Sequence, residues 1–143
     1  MSSKTTEAII SIANFIRGKK PPLPFAIYYL PSFEHRMQEC IKRNPSFEDD
    51  FIKFLSRFDP AEPKRGTNVH STDASKTEIG RRGYSGRRGY RVIYYYDKDK
   101  HIVVFIALYA KNEKTDIDHH EANMIGEVVR RIKEGKLELI PLG

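Results

Sequence analysis

The ten residues HIVVFIALYA (His101–Ala110) are apolar at odd and even positions alike. Successive side chains of a strand point to opposite faces. A run apolar at both parities therefore predicts a central strand covered on both sides. Tyr90–Tyr96 (YRVIYYY) is the other clear strand, joined to it by the turn-forming DKDK, and Lys76–Ile79 could be a short strand ahead of them. The links among these three are too short for parallel crossovers, which predicts an antiparallel meander. Phe25–Leu30 (FAIYYL), bounded by prolines, reads as a further strand, and KLELIPLG at the end as a short edge strand or a packed tail.

Helical spacing supplies the cover. Phe33, Met37, Cys40 and Ile41 form one stripe behind Ser32, which can cap a helix. The tripeptide NPS at 44–46 stops that helix and starts another, with Ser46 as cap and Asp49 three residues on. Phe47, Phe51, Phe54, Leu55 and Phe58 then line one face, a pattern of core packing rather than of a cofactor box. Near the end, Asp118 caps a helix with Glu121 three residues later; Ala122, Ile125, Val128, Val129 and Ile132 face inward, and Gly135 closes it. The expected fold is a small α+β domain: an antiparallel sheet, a helical hairpin on one face and a C-terminal helix nearby.

Residues 1–24 read as a leader helix (5–17) with a stiff connector, KKPPLP, and residues 25–143 as the domain. The leader is expected to be dispensable for folding, or else to cover the apolar face of the domain or of a second copy. Its bases follow its apolar part, unlike a signal peptide, and no apolar stretch is long enough to cross a membrane. The single cysteine, Cys40, allows no intrachain disulfide and suits a reducing cytoplasm; its place on an apolar helix face makes it a buried small hydrophobe.

The formal charge of +6 favours an anionic partner, and its distribution says more than its sign. Six bases (Lys76, Arg81, Arg82, Arg87, Arg88, Arg91) stand between positions 76 and 91 against Glu78 alone, a local net of +5. The phrase GRRGY occurs twice there, at 80–84 and 86–90, with one serine between. Glycines permit bends, arginines meet phosphates and tyrosines can stack on unpaired bases. The alternative is a solvated loop whose charge complements an acidic partner. No metal or cofactor is expected: HHE at 119–121 points around a helix rather than along one face, and His35, His70 and His101 show no ligand spacing.

Two motifs carry a resemblance over about residues 25–135: Gly89-Tyr90-Arg91-Val92-Ile93-Tyr94-Tyr95, and Leu108-Tyr109-Ala110-Lys111-Asn112-Glu113-Lys114-Thr115-Asp116. In this order, with the preceding strand and helical hairpin and the closing helix, the chain resembles the RelE/HigB group of toxin–antitoxin toxins. The resemblance implies a cytoplasmic endoribonuclease that cuts messenger RNA, often on the ribosome, and that a cognate antitoxin neutralises. It also implies metal-independent chemistry, in which the RNA's 2′-hydroxyl attacks the neighbouring phosphate. Such a reaction needs a base near the 2′-oxygen, cations around the phosphorane and an acid for the 5′-oxygen.

Carried over residue by residue, Arg91 matches the family's phosphate-binding arginine, Lys111 and Lys114 its basic motif after the last strand, and Lys76 its basic position on the preceding strand. Arg81, Arg82, Arg87 and Arg88 are expected to bind RNA beside Lys76, with Tyr109 available for stacking. By strand parity, Arg91, Ile93 and Tyr95 share a face, as do His101, Val103, Phe105, Ala107, Tyr109 and Lys111. Asn112 and Asp118 stand near places where several members carry an arginine and a tyrosine, and Glu78 where a second base is common; the rival reading makes Arg91 a structural arginine paired with a carboxylate such as Glu78. His119 and His120 are the nearest titratable substitutes; the plainer reading is two exposed residues in a helix's first turn. Two other functions remain open at this point: a non-catalytic RNA- or protein-binding module of the same fold, and a gyrase-directed toxin.

Overall fold

The structure, a computed structural model, describes residues 3–61, 68–80, 89–114 and 116–143. In chain order its elements are α1 (Ser3–Gly18), β1 (Ala26–Tyr29), α2 (Pro31–Arg43), α3 (Phe47–Arg57), β2 (Ala74–Ile79), β3 (Tyr90–Asp97), β4 (Ile102–Ala110), α4 (His119–Lys133) and β5 (Ile140–Pro141). One five-stranded sheet runs in the order β2-β3-β4-β1-β5. The α+β class, the helical hairpin and the closing helix are as expected. The last three long strands do form an antiparallel meander, whereas β1 lies parallel to β4 and makes the sheet mixed. That parallel pair is possible because two helices and two strands intervene along the chain. The short tail strand β5 then edges β1 antiparallel.

β4 is indeed central and covered on both faces. Val103, Phe105 and Leu108 face the layer built from α1, α2 and α3, while Val104, Ile106 and Tyr109 face α4. The expected parity fails at one place. Ile93 pairs with Ala107 but Tyr94 pairs with Phe105, so Ile106 is an extra residue, a β-bulge. Val103 and Phe105 consequently share one face, and Ala107 and Tyr109 the other. On the larger layer, Phe33, Phe51, Phe54 and Phe58 all pack their rings against Phe105, with ring centroids 5.3 to 6.2 Å apart.

Helix ends follow local chemistry. Asp118 caps α4 by accepting from the Glu121 amide at 2.8 Å. Gly135, at φ 69°, ends it in a Schellman turn, in which Lys136 N–H donates to the Arg131 carbonyl. Ser32 is not the cap of α2: the helix starts at Pro31, whose missing N–H suits the first turn, after Leu30. Ser46 does precede α3, but its single hydroxyl proton is within reach of Asp50 Oδ2 (2.9 Å) or Asn44 Oδ1 (3.0 Å), and the side chain does not cap the backbone. Cys40 is buried as expected, and burial pushes its thiol up to about 11. No helix among the described residues is long and apolar enough to cross a membrane.

α1 takes the covering role. Ala8, Ile12 and Ala13 are buried in the same cluster as Phe47, Phe51 and Leu55, and Ser11 donates to Glu48 of α3 at 3.2 Å. Ile12 is fully buried. Replacing it with alanine is expected to cost about 2–4 kcal/mol, since a void opens against α3. Urea unfolding checks this; a midpoint identical to wild type would instead mark the leader as dispensable.

Candidate phosphate-binding site

The β-bulge decides which side chains meet. With it, Arg91 lies directly across from Tyr109 in the β3–β4 ladder, and Glu78 directly across from Arg91 in the β2–β3 ladder. Glu78, Arg91 and Tyr109 thus form a row over three strands on the α4 side of the sheet, and Lys76 stands on the same face two residues before Glu78. Lys111 follows directly after β4, where its amide donates to the Gly89 carbonyl at 3.0 Å. Gly89 in turn must be small: a Cβ there would sit 2.5 Å from the Ile79 carbonyl oxygen. One glycine of the doubled phrase is therefore needed for backbone approach at the base of the β2–β3 hairpin.

Three of the expected cations converge here through two carboxylates. Lys111 Nζ lies 2.8 Å from Glu78 Oε2, and Arg91 Nη2 lies 3.4 Å from Glu78 Oε1. Lys76 Nζ is 3.2 Å from Asp116 Oδ1, with Arg91 Nη1 3.8 Å from the same oxygen. Lys114 pairs with Glu121 and stands over the Tyr109 ring, 5.1 Å from its centroid. That ring is buried, so a base could stack on it only after Lys114 moves away. The Tyr109 hydroxyl is buried without a hydrogen bond of good geometry among the described residues. Burial raises its pKa, and the nearby Arg91 guanidinium opposes the rise.

The other expected site residues fall elsewhere. His119 and His120 are exposed in the first turn of α4, and the His119 ring tilts against His70 at 6.0 Å. Tyr90, read as open to stacking, is buried on the opposite side of the sheet, where its hydroxyl accepts from Asn44 Nδ2 at 2.7 Å. Arg81, Arg82, Arg87 and Arg88, with Tyr84, lie outside the described residues. Among the described residues, no group of three or more His, Cys, Asp or Glu is placed to hold a metal ion. A separate cavity of about 150 Å³ lies on the α2 side, lined by Arg36, Cys40, Arg43, Tyr90 and Glu113 among others. Its arginines are already engaged by Glu39 and Glu113.

Asp116 is the participant that sequence reasoning missed; Glu78 stood there both as a departure and as the carboxylate that a structural Arg91 would pair with, and that pair is present. Counting the hairpin register back from Arg91 places Glu78 opposite it, but that register needs the loop geometry, and Asp116 is placed by a loop with no periodic signal.

Both carboxylates titrate low. A hydrogen bond from Lys111 holds Glu78 below its ordinary 4.5, with Arg91 adding to the effect. Asp116 is held below 3.8, first by the Ile117 amide and then by Lys76. A carboxyl whose folded pKa is depressed contributes stability above its unfolded pKa and loses it as pH falls through the folded one. The melting temperature is therefore expected to fall between roughly pH 5 and pH 3, with a shallower slope in a Glu78→Gln/Asp116→Asn variant. A slope identical to wild type would show that the pairs add nothing to the folded state. No protein-family model matches this chain, and no curated protein matches it.

Proposed function

We propose that this protein is a toxin-like endoribonuclease of the RelE/HigB kind, acting on messenger RNA in the cytoplasm, with or without the ribosome, and neutralised by a cognate antitoxin. The observation that carries the reading is the convergence of Lys76, Arg91 and Lys111 at one end of the meander. Arg91 is the only charge between Tyr90 and Tyr96. Its side chain is 17% exposed, low enough to be oriented by packing and open enough to meet a ligand.

In the proposed reaction the 2′-oxygen bonds to phosphorus as the bond from phosphorus to the 5′-oxygen breaks. A proton leaves the 2′-oxygen and another reaches the 5′-oxygen, leaving a 2′,3′-cyclic phosphate and a 5′-hydroxyl. Charge grows on the non-bridging oxygens in between. Arg91 can hold two of them at once, and Lys111 adds a point charge beside it. Lys76, on the neighbouring strand, completes the ring of cations, so the arrangement matches electrostatic stabilisation of a phosphorane without a metal.

A second reading, binding of RNA without cleavage, is favoured by Glu78, which neutralises two of the three cations where the family often carries a further base. Cleavage assays with and without ribosomes separate the two: RNA bound and left intact under both conditions would support the second.

Arg91→Ala is expected to lower the cleavage rate about 10²–10³-fold, the usual cost of one oriented electrostatic contact. Its carboxylate partners Glu78 and Asp116 stand in solvent, which screens the pairs to at most about 1 kcal/mol, so the melting temperature should change little. A large drop in melting temperature with cleavage retained in the folded fraction would make Arg91 a structural residue instead.

A further inference from the structure

The cations of the cleft lie low and its carboxylates lie high. Side-chain exposure is 14% for Lys111, 17% for Arg91 and 24% for Lys76, against 57% for Glu78 and 65% for Asp116. Each carboxylate therefore stands on the solvent side of the cations it neutralises, where an incoming anion has to pass. Glu78 offers one oxygen to Lys111 and the other to Arg91. Two non-bridging oxygens of a phosphodiester present the same acceptors to the same pair of donors. Asp116 is tied to its own loop, accepting from the Ile117 amide at 2.8 Å. Among the described residues the Glu78 side chain pairs with Arg91 and Lys111, the two cations that a phosphate would take from it.

We propose that Glu78 and Asp116 are resident counter-ions that a phosphate-bearing ligand displaces, so that binding here is an exchange rather than an addition. Glu78 gives up Arg91 and Lys111, and Asp116 gives up Lys76. The inference rests on this cleft being a phosphate site, and not on RNA being cut there. The physical ground is like-charge repulsion. A phosphate seated beside retained carboxylates would bring anions to within about 4–6 Å of one another in a partly desolvated cleft. The exchange also sets selectivity. A ligand with several phosphates, such as a nucleic-acid strand or a polyphosphate, replaces both carboxylates together, whereas a small monovalent anion replaces neither. Glu78 is in this sense a specificity-determining residue, holding the cleft closed to weak anions.

The test is calorimetric titration of inorganic tripolyphosphate, at fixed low salt, into the wild-type protein and three variants: Glu78→Gln, Asp116→Asn and Glu138→Gln. Glu138 is exposed beside β5, at the other edge of the sheet, and its variant changes net charge equally. Glu78→Gln and Asp116→Asn are each expected to bind roughly three- to tenfold tighter than wild type, with Glu138→Gln within about twofold. Having two variants, one from each side of the cleft, guards against a failure of either to fold. Affinities no better than that of Glu138→Gln, weaker binding, or no binding by any form would overturn the proposal. Tighter tripolyphosphate binding by a protein that cuts no RNA would keep the exchange and sink the ribonuclease reading. RNA cleavage with unchanged affinities would do the reverse.

Discussion

One extra residue in β4 determines what the cleft contains. Without the bulge at Ile106, the pairing of Phe105 with Tyr94 would carry on to place Tyr109 opposite Tyr90, on the side of the helical hairpin. A shift of one residue turns every later side chain of a strand to the other face. The bulge makes that turn between Phe105 and Ala107. The early half of β4 serves the large aromatic layer, and the late half delivers Tyr109 alongside Arg91. It also explains why β4 is apolar at both parities: both its faces are buried, with the assignment of odd and even positions reversed partway along.

The two layers divide the work accordingly. Phe105 anchors the core beneath α1, α2 and α3, where rings of α2, of α3 and of Phe58 just beyond α3 gather on it. On the other face α4 starts close to the cleft, with Glu121 of its first turn holding Lys114 over Tyr109. The floor of the cleft is thus sheet, which is rigid, while its rim is loop and side chain. That is a suitable division for binding an anion: oriented donors below, exchangeable counter-ions above. The half-buried cations lose some hydration and remain paired, as partly buried charge must.

Much of the architecture was legible because it rests on periodicity. Helix stripes, the central strand and the short links of the meander are local statements, and so are the Asp118 cap and the Gly135 stop. The parallel seat of β1 was not, since FAIYYL carries no mark of which edge it will join. The bulge was hidden for a related reason: HIVVFIALYA is apolar throughout, so no polar residue marks where the parity changes. At the site, Arg91 and Lys111 were legible through a resemblance and strand parity together, and Lys76 through the resemblance alone. Of their ion-pair partners, Glu78 was legible as a carboxylate within reach of Arg91, whereas Asp116 was not, because it belongs to a loop. Ser32 was misread as a cap because Pro31 can itself open a helix.

The central claim is that the oriented cations on β2, β3 and the end of β4 serve transfer of a phosphodiester to its own 2′-hydroxyl. The most direct measurement is mass spectrometry of the ends left on an RNA incubated with the purified protein, with and without ribosomes. The account predicts fragments ending in 2′,3′-cyclic phosphate and beginning with 5′-hydroxyl, and no cut where the 2′-hydroxyl at the scissile position is replaced by hydrogen. Fragments bearing 5′-phosphate, or cleavage that survives loss of that hydroxyl, would contradict it.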